Sequence, residues 1–329
     1  MKKTVAILFV LILAAGVLFA TGVTEEGTRI GISKIVAHPA LDGVEQGIQD
    51  ELAELGYTDI TFDLQNASGD MSTAAQIGAK FDADNVDIAV GIATPTAQAL
   101  VNAIEDVPVV FTAVTDPVGA GLVPGLNGGG GNVTGYSDLT PVREQIELIA
   151  QFDGIEAIGH VYSSGEANAV VLAEMAQEAA EELGIEFITT TVANSAEVRQ
   201  AAQSIVDRVD VFYMSTDNTV VSALAALTEV AVQAGVPVVS ADPSSAETQD
   251  VIAAYGFDYY TMGRATGALI AEILEGADPD EISVRYLTDA DDLILHLNLD
   301  IAEDLGLQFP AALLEQADVV VEDGEAVRQ

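Results

Sequence analysis

Hydroxyl, amide and carboxylate side chains cluster at five points in this chain, each time directly after a short apolar run. Thr94 and Thr96 follow the run at 87–92, and Thr115 and Asp116 follow the run at 107–114. Glu166 and Asn168 stand after 157–162, Thr216, Asp217 and Asn218 after 209–214, and Asp242 after 236–239. The chemistry open to these residue types is recognition of a small zwitterion. Threonine hydroxyls and the free N–H groups at a helix start suit a carboxylate, and Asp or Glu suits an ammonium through charge-assisted hydrogen bonds. Taken singly, each residue also fits a helix N-cap. Recurrence at five strand ends favours a ligand site over five separate caps. His38 and Asp42 follow the first apolar run and are placed to rim the same cleft, and Tyr259 or Tyr260 could stack on an aromatic ligand or be buried at a hinge.

Other chemistry finds less support. The histidines (His38, His160, His296) fall in separate elements, there is no cysteine, and no metal-ligand spacing is present. A Gly-x-Ser-x-Gly elbow for a serine nucleophile is absent. The glycine run at 128–131 lacks the Lys and Ser/Thr of a phosphate-binding loop, so it reads as a linker. No catalytic residue, metal or cofactor is therefore expected. A hydrolase using cleft carboxylates and a sensor docking on a membrane receptor are the rival functions.

The elements that must carry these clusters alternate. Continuous apolar runs suit parallel strands covered by helices on both faces. Strands are predicted at 28–36, 59–64, 156–162, 185–192, 209–214, 236–239, 251–257 and 283–287. Helices are predicted at 41–55, 72–81, 142–151, 167–183, 196–206, 219–234 and 260–274, with short ones near 300–305 and 310–316. Such alternation gives an α/β fold of doubly wound parallel sheets, and ligands of such sheets bind beyond the carboxyl ends of the strands. The loop at 119–135 is the one clear break in alternation and the expected first crossover between two lobes.

Composition bounds the setting. The chain has 329 residues, room for two lobes. Met1 to Lys3 is basic and an apolar run follows to Phe19, the pattern of a cleaved secretory signal ending between Ala20 and Gly22. With no cysteine near residue 20, a lipid anchor is not expected, and the site of action is periplasmic or extracytoplasmic. The formal charge is −41, which opposes nucleic-acid binding. Half of the residues are hydrophobic, so a core is affordable despite that charge, and the acidity reads as a solvation device for a salty, halophilic setting.

At the clusters a family resemblance appears. The segments IVAHPALD at 35–42, ASGD at 67–70, ATP at 93–95 and FTAVTDP at 111–117 resemble the periplasmic substrate-binding proteins of tryptophan- and tyrosine-type ABC transporters. GNVTG at 131–135, GEAN at 165–168, STDNT at 215–219 and DYY at 258–260 with Gly263 continue the match in order. Ser163 and Ser164 depart from it, since many relatives carry Asn-Pro there. The resemblance implies a type I periplasmic-binding-protein fold with a three-crossing hinge, closing around an aromatic amino acid and delivering it, as a monomer, to an ABC permease. It implies lobe I at 28–137 plus 257–280, and lobe II at 138–256 plus 281–329. With the clusters, it sets Thr94, Pro95, Thr115 and Asp116 of the first lobe opposite Glu166, Asn168, Thr216, Asp217 and Asn218 of the second, with Asp217 the first choice for a ligand ammonium.

Overall fold

A computed structural model describes residues 27–289 and 292–329. The signal segment expected at 1–22 lies outside the described residues. In chain order the first elements are β1 (Arg29–Lys34), α1 (Pro39–Glu54), β2 (Thr61–Asn66), α2 (Met71–Ala83), β3 (Ile88–Ile92), α3 (Thr94–Ala103), β4 (Val109–Val114) and β5 (Val133–Ser137). Next come α4 (Val142–Ile149), β6 (Ala157–Ser163), α5 (Ala167–Leu183), β7 (Glu186–Val192), α6 (Val198–Ile205), β8 (Val211–Met214), α7 (Asn218–Val221), α8 (Leu224–Ala234), β9 (Val238–Ser240) and β10 (Ala253–Phe257). The chain closes with α9 (Tyr259–Leu274), β11 (Arg285–Tyr286), β12 (Leu293–Asn298), α10 (Leu299–Asp304), α11 (Ala311–Leu314), β13 (Val319–Glu322) and β14 (Glu325–Arg328).

Two sheets result, ordered β11-β5-β4-β3-β1-β2 and β14-β13-β12-β10-β9-β8-β6-β7. Every pairing in the first is parallel; in the second, β10–β12 and β13–β14 are antiparallel. The central strands β3, β4 and β8 are buried along their whole length, which is why their sequences are uninterrupted apolar runs rather than alternating ones. Each sheet has its own core, built around Ile32, Val90 and Phe111 in one lobe and Ile158, Val211 and Phe212 in the other.

The chain passes between the sheets three times: after β5, between β10 and α9, and between β11 and β12. The glycine-rich stretch is not the first crossover. It stays on the first lobe, pinned by hydrogen bonds from Gly129 N–H to Asp280 O (2.8 Å) and from Val284 N–H to Leu126 O (2.9 Å). The lobe II range starting at 281 is also corrected, because Arg285 and Tyr286 pair with Tyr136 and Ser137 in the first sheet. The helix predicted over 219–234 is two helices, broken at Ser222 and Ala223.

The return crossing is fixed by close packing of α1 on α9. A Cβ on Gly47 would lie 2.3 Å from Tyr260 O, and one on Gly263 would lie 2.3 Å from Val44 O. Glycine at both positions lets the two helix backbones touch, which brings Tyr259 at the start of α9 beside the start of α1. Either glycine replaced by alanine forces the helices apart.

Candidate ligand-binding site

The carboxyl ends of the two sheets face each other across a narrow cavity with about 20 Å³ of free space. Its second-lobe wall is a set of carboxylates and amides that hold one another. Asp217 caps α7: one oxygen accepts from Val220 N–H (3.0 Å) and the other from Ser163 N–H (2.5 Å). Glu166, just before α5, accepts from Asn218 Nδ2 (2.7 Å), Thr219 N–H (2.9 Å) and the Thr219 hydroxyl (2.6 Å). Asn168 donates to Thr216 O at 3.0 Å. Asp242, after β9, accepts from Ser244 N–H (2.9 Å) and the Ser244 hydroxyl (2.8 Å). Burial pushes Asp217 up to about 7, with Glu166 adding to the shift. Burial likewise lifts Asp242 to about 6, against the pull of the Ser244 hydrogen bonds.

The first-lobe wall is built otherwise. His38 precedes α1 in an extended conformation and caps nothing, and its Nδ1 is buried without a partner. Burial lowers its pKa to about 4, so it is neutral near pH 7. Ala40 and Leu41, from the first turn of α1, lie beside it on the cavity wall. Ala113, in β4, holds a left-handed backbone (φ +53°) where the register between β4 and β5 shifts. Such a residue costs on the order of 1–3 kcal/mol and is typical of ligand clamps. Gly135 of β5 permits this geometry, since a Cβ there would sit 1.9 Å from Phe111 O.

At the base of the cleft, Asp138 follows β5 and Tyr259 opens α9. The Tyr259 hydroxyl donates to Asp138 Oδ2 (2.8 Å) and the Thr115 hydroxyl to Oδ1 (3.3 Å). Burial raises Asp138 to about 6 and lifts the Tyr259 hydroxyl well above its usual range, with Asp138 and Asp242 contributing.

Of the residues expected from sequence, His38, Thr115, Asn168, Thr216, Asp217, Asn218, Asp242 and Tyr259 line the cavity. The others stand apart. Asp42 is exposed and paired with Lys34 at 2.5 Å. Asp116 accepts from Gly119 N–H (2.8 Å), closing a turn. Thr94 and Pro95 are buried at the start of α3, outside the lining, and Glu166 lies behind it, supporting Asn218. The Tyr260 hydroxyl turns to Asp50 (3.1 Å), leaving Tyr259 as the tyrosine of the cleft. Asp138, Ala113, Ala40, Leu41 and Val221 complete the lining and were not foreseen. Asp138 stands directly after a strand, as Thr115 does; the glycines before β5 concealed that strand.

Three buried aspartates thus face one cavity, and no lysine or arginine lines it. Among the described residues, no three His, Cys, Asp or Glu side chains gather as a metal site. The profile of the family described as ABC transporter substrate binding protein matches residues 29–321. The chain belongs to this family. Such proteins are the extracytoplasmic partners of ABC transporters. A tyrosine-binding protein of Clostridioides difficile (strain R20291) is 36% identical over 289 residues, 87% of this chain and 83% of its own length. The crystal structure of an ABC domain in complex with L-Trp from Streptococcus pneumonia, 34% identical, superposes with a TM-score of 0.86 over 90% of this chain and 100% of its own. A ligand-free, open substrate binding protein with adhesive properties from Clostridium difficile, 35% identical, reaches only 0.65 over 86% and 96%. At nearly equal identity, the chain superposes more closely on the L-Trp-bound relative than on the open one. The fold is that of the type I periplasmic binding proteins, and no helix among the described residues is long and apolar enough to cross a membrane.

Proposed function

We propose that this protein captures an aromatic L-amino acid outside the cytoplasmic membrane and hands it, chemically unchanged, to the transmembrane subunits of an ABC permease. The observation that carries the reading is the cavity with three buried aspartates and no cationic side chain, which calls for a ligand that brings its own positive charge. The L-Trp complex and the tyrosine-binding relative support an aromatic amino acid as that ligand. Leu41, Ala113 and Val221 supply apolar wall for its side chain. Buried atoms with open hydrogen-bond capacity (His38 Nδ1, Asn168 Oδ1, Thr216 Oγ1) belong to both walls. A ligand touching both therefore favours closure of the lobes about the three crossings. Export by the N-terminal segment and action as a monomer complete the proposal.

Calorimetry of the mature chain against L-Trp, L-Tyr, L-Phe, L-Leu and glucose tests it. The aromatic amino acids should bind with 1:1 stoichiometry and raise the melting temperature, by about 2.7 kcal/mol of stabilisation at 100 times Kd. Binding of glucose or L-Leu with no response to any aromatic amino acid sinks the reading. We further assign the charge of −41 to a salt-rich setting. The melting temperature should then climb between 0.01 M and 1 M salt, as the Debye length shrinks from roughly 30 Å to 3 Å; a flat response removes that assignment.

A further inference from the structure

We propose that Asp138, at the base of the cleft, is the residue that receives the ligand ammonium and makes the site selective for a free amine. The inference rests on the amino-acid reading above and names the group that enforces it. Three carboxylates line the cavity, and they differ in what already occupies them. A carboxylate has about four acceptor positions. Asp217 gives both oxygens to backbone N–H groups, of Val220 and Ser163. Asp242 accepts a backbone N–H and a hydroxyl from Ser244, and the hydroxyl also reaches its second oxygen at 2.9 Å. The backbone N–H bonds, two on Asp217 and one on Asp242, hold the local chain and cannot turn away, although the Ser244 hydroxyl can. Asp138 accepts side-chain hydroxyls only, from Tyr259 at 2.8 Å and from Thr115 at a long 3.3 Å. Hydroxyl rotors can swing aside, and 3.3 Å lies well beyond the usual ~2.7–2.8 Å of an O–H···O bond. Asp138 is thus the cavity carboxylate with most acceptor capacity left, and it is 3% exposed.

Its placement gives the contact a second consequence. Asp138 is the first residue after β5, where the chain leaves the first lobe, and its N–H donates to Val114 O (3.2 Å). Ser137 next to it donates its hydroxyl to Thr115 O (3.0 Å). Tyr259 opens α9, where the chain returns to the first lobe. An ammonium on Asp138 therefore lies at the hinge itself, where Asp138 ties the first crossing to Tyr259 of the second. Asp242, close enough to Tyr259 to raise its hydroxyl pKa, adds negative charge on the other side.

The test compares Asp138→Asn with the parent on two ligands: L-Trp or L-Tyr, and its des-amino analogue, indole-3-propionate or 3-(4-hydroxyphenyl)propionate. Asp138→Asn should weaken the amino acid by roughly 30-fold or more and leave the analogue within about 3-fold, because only the amino acid loses an ion pair. Asp116→Asn, outside the cavity, should bind both as the parent does. Equal losses on both ligands assign Asp138 a structural role, and no loss on either overturns the assignment alone. A parent chain that binds no aromatic amino acid overturns the ligand reading and this assignment with it. Should Asp138→Asn fail to fold, a crystal structure of the parent complex decides: the ligand nitrogen lies within hydrogen-bond distance of Asp138 or it does not.

Discussion

The two walls of the cleft are made by different means. On the second-lobe side, Glu166, Asp217 and Asn168 each bond to a neighbouring strand end or helix start, so the wall is cross-linked before any ligand arrives. Open polar atoms there are Asn168 Oδ1, on a side chain already anchored by another bond, and Thr216 Oγ1. On the first-lobe side, His38 Nδ1 is buried with no partner and Ala113 carries left-handed backbone (φ +53°); in the same lobe but outside the lining, Thr94 Oγ1 is also unpartnered and Ala93 has φ +78°. Buried polar atoms normally find partners, and strained backbone persists where function holds it. The second wall is cross-linked in advance and keeps a few open atoms, whereas His38 on the first has no side-chain bond at all.

Glu166→Ala should break the second wall most severely. It strands three donors, on Asn218 and Thr219, at a carboxylate that is only 7% exposed. We expect a stability loss of about 3 kcal/mol or more, measured by urea unfolding, together with loss of ligand binding. A loss below about 1 kcal/mol would mean that the walls do not differ as described.

Asp217→Asn comes next. An asparagine offers one oxygen where two are used, and turns its NH₂ towards either Ser163 N–H or Val220 N–H. The expected cost is about 1–3 kcal/mol. A simple N-cap tolerates asparagine as well as aspartate; the second accepted bond, from Ser163, is what raises the cost here. Unaltered unfolding of Asp217→Asn would show that this bond contributes nothing.

Acidification should read out the carboxylates at the base. Asp138 and Asp242 are raised to about 6, and an ammonium needs them ionised. Affinity should be full above about pH 7 and fall as pH drops through 6, by up to tenfold per unit for each proton taken up. For stability of the free protein the same groups act in the reverse sense. Their raised folded-state pKa values cost stability as pH rises from about 4 through 6. His38 and His160, lowered to about 4 by burial, cost it as pH falls from 6.5 towards 4. Calorimetry between pH 8 and pH 5 checks the binding arm, and a pH-independent Kd would remove both carboxylates from ammonium recognition.

What was legible in the sequence follows from burial. Strands such as β3 and β8, covered on both faces, announce themselves as apolar runs, and the polar residues after them were found for the same reason. The strands β12, β13 and β14 went unread because they lie towards the sheet edge, with β14 fully exposed, and their apolar runs are only three residues long in β12 and β13 and missing in β14. Within the site, types were legible and partners were not. Asp42 and Asp116 have the right chemistry at the right strand ends, but Lys34 takes the first and a turn at Gly119 takes the second. Asp138 was hidden by the glycines that masked β5, and the support given by Glu166 to Asn218 spans 52 positions of sequence.

The smallest expected effect sharpens the contrast most. Thr94 is the first residue of α3, 2% exposed, with its hydroxyl unpartnered. Valine has nearly the same shape and a similar helix propensity, so Thr94→Val removes a buried polar atom that bonds to nothing. The free protein should therefore keep its stability within about 0.5 kcal/mol or gain slightly, in contrast to Glu166→Ala across the cleft. Because Thr94 lies outside the cavity lining, affinity should stay within about 3-fold of the parent; a larger loss would show that its hydroxyl reaches the ligand. Urea unfolding of the free variant and calorimetry of its complex separate the two arms. A loss of about 2 kcal/mol in the free protein would mean that the hydroxyl is already bonded there.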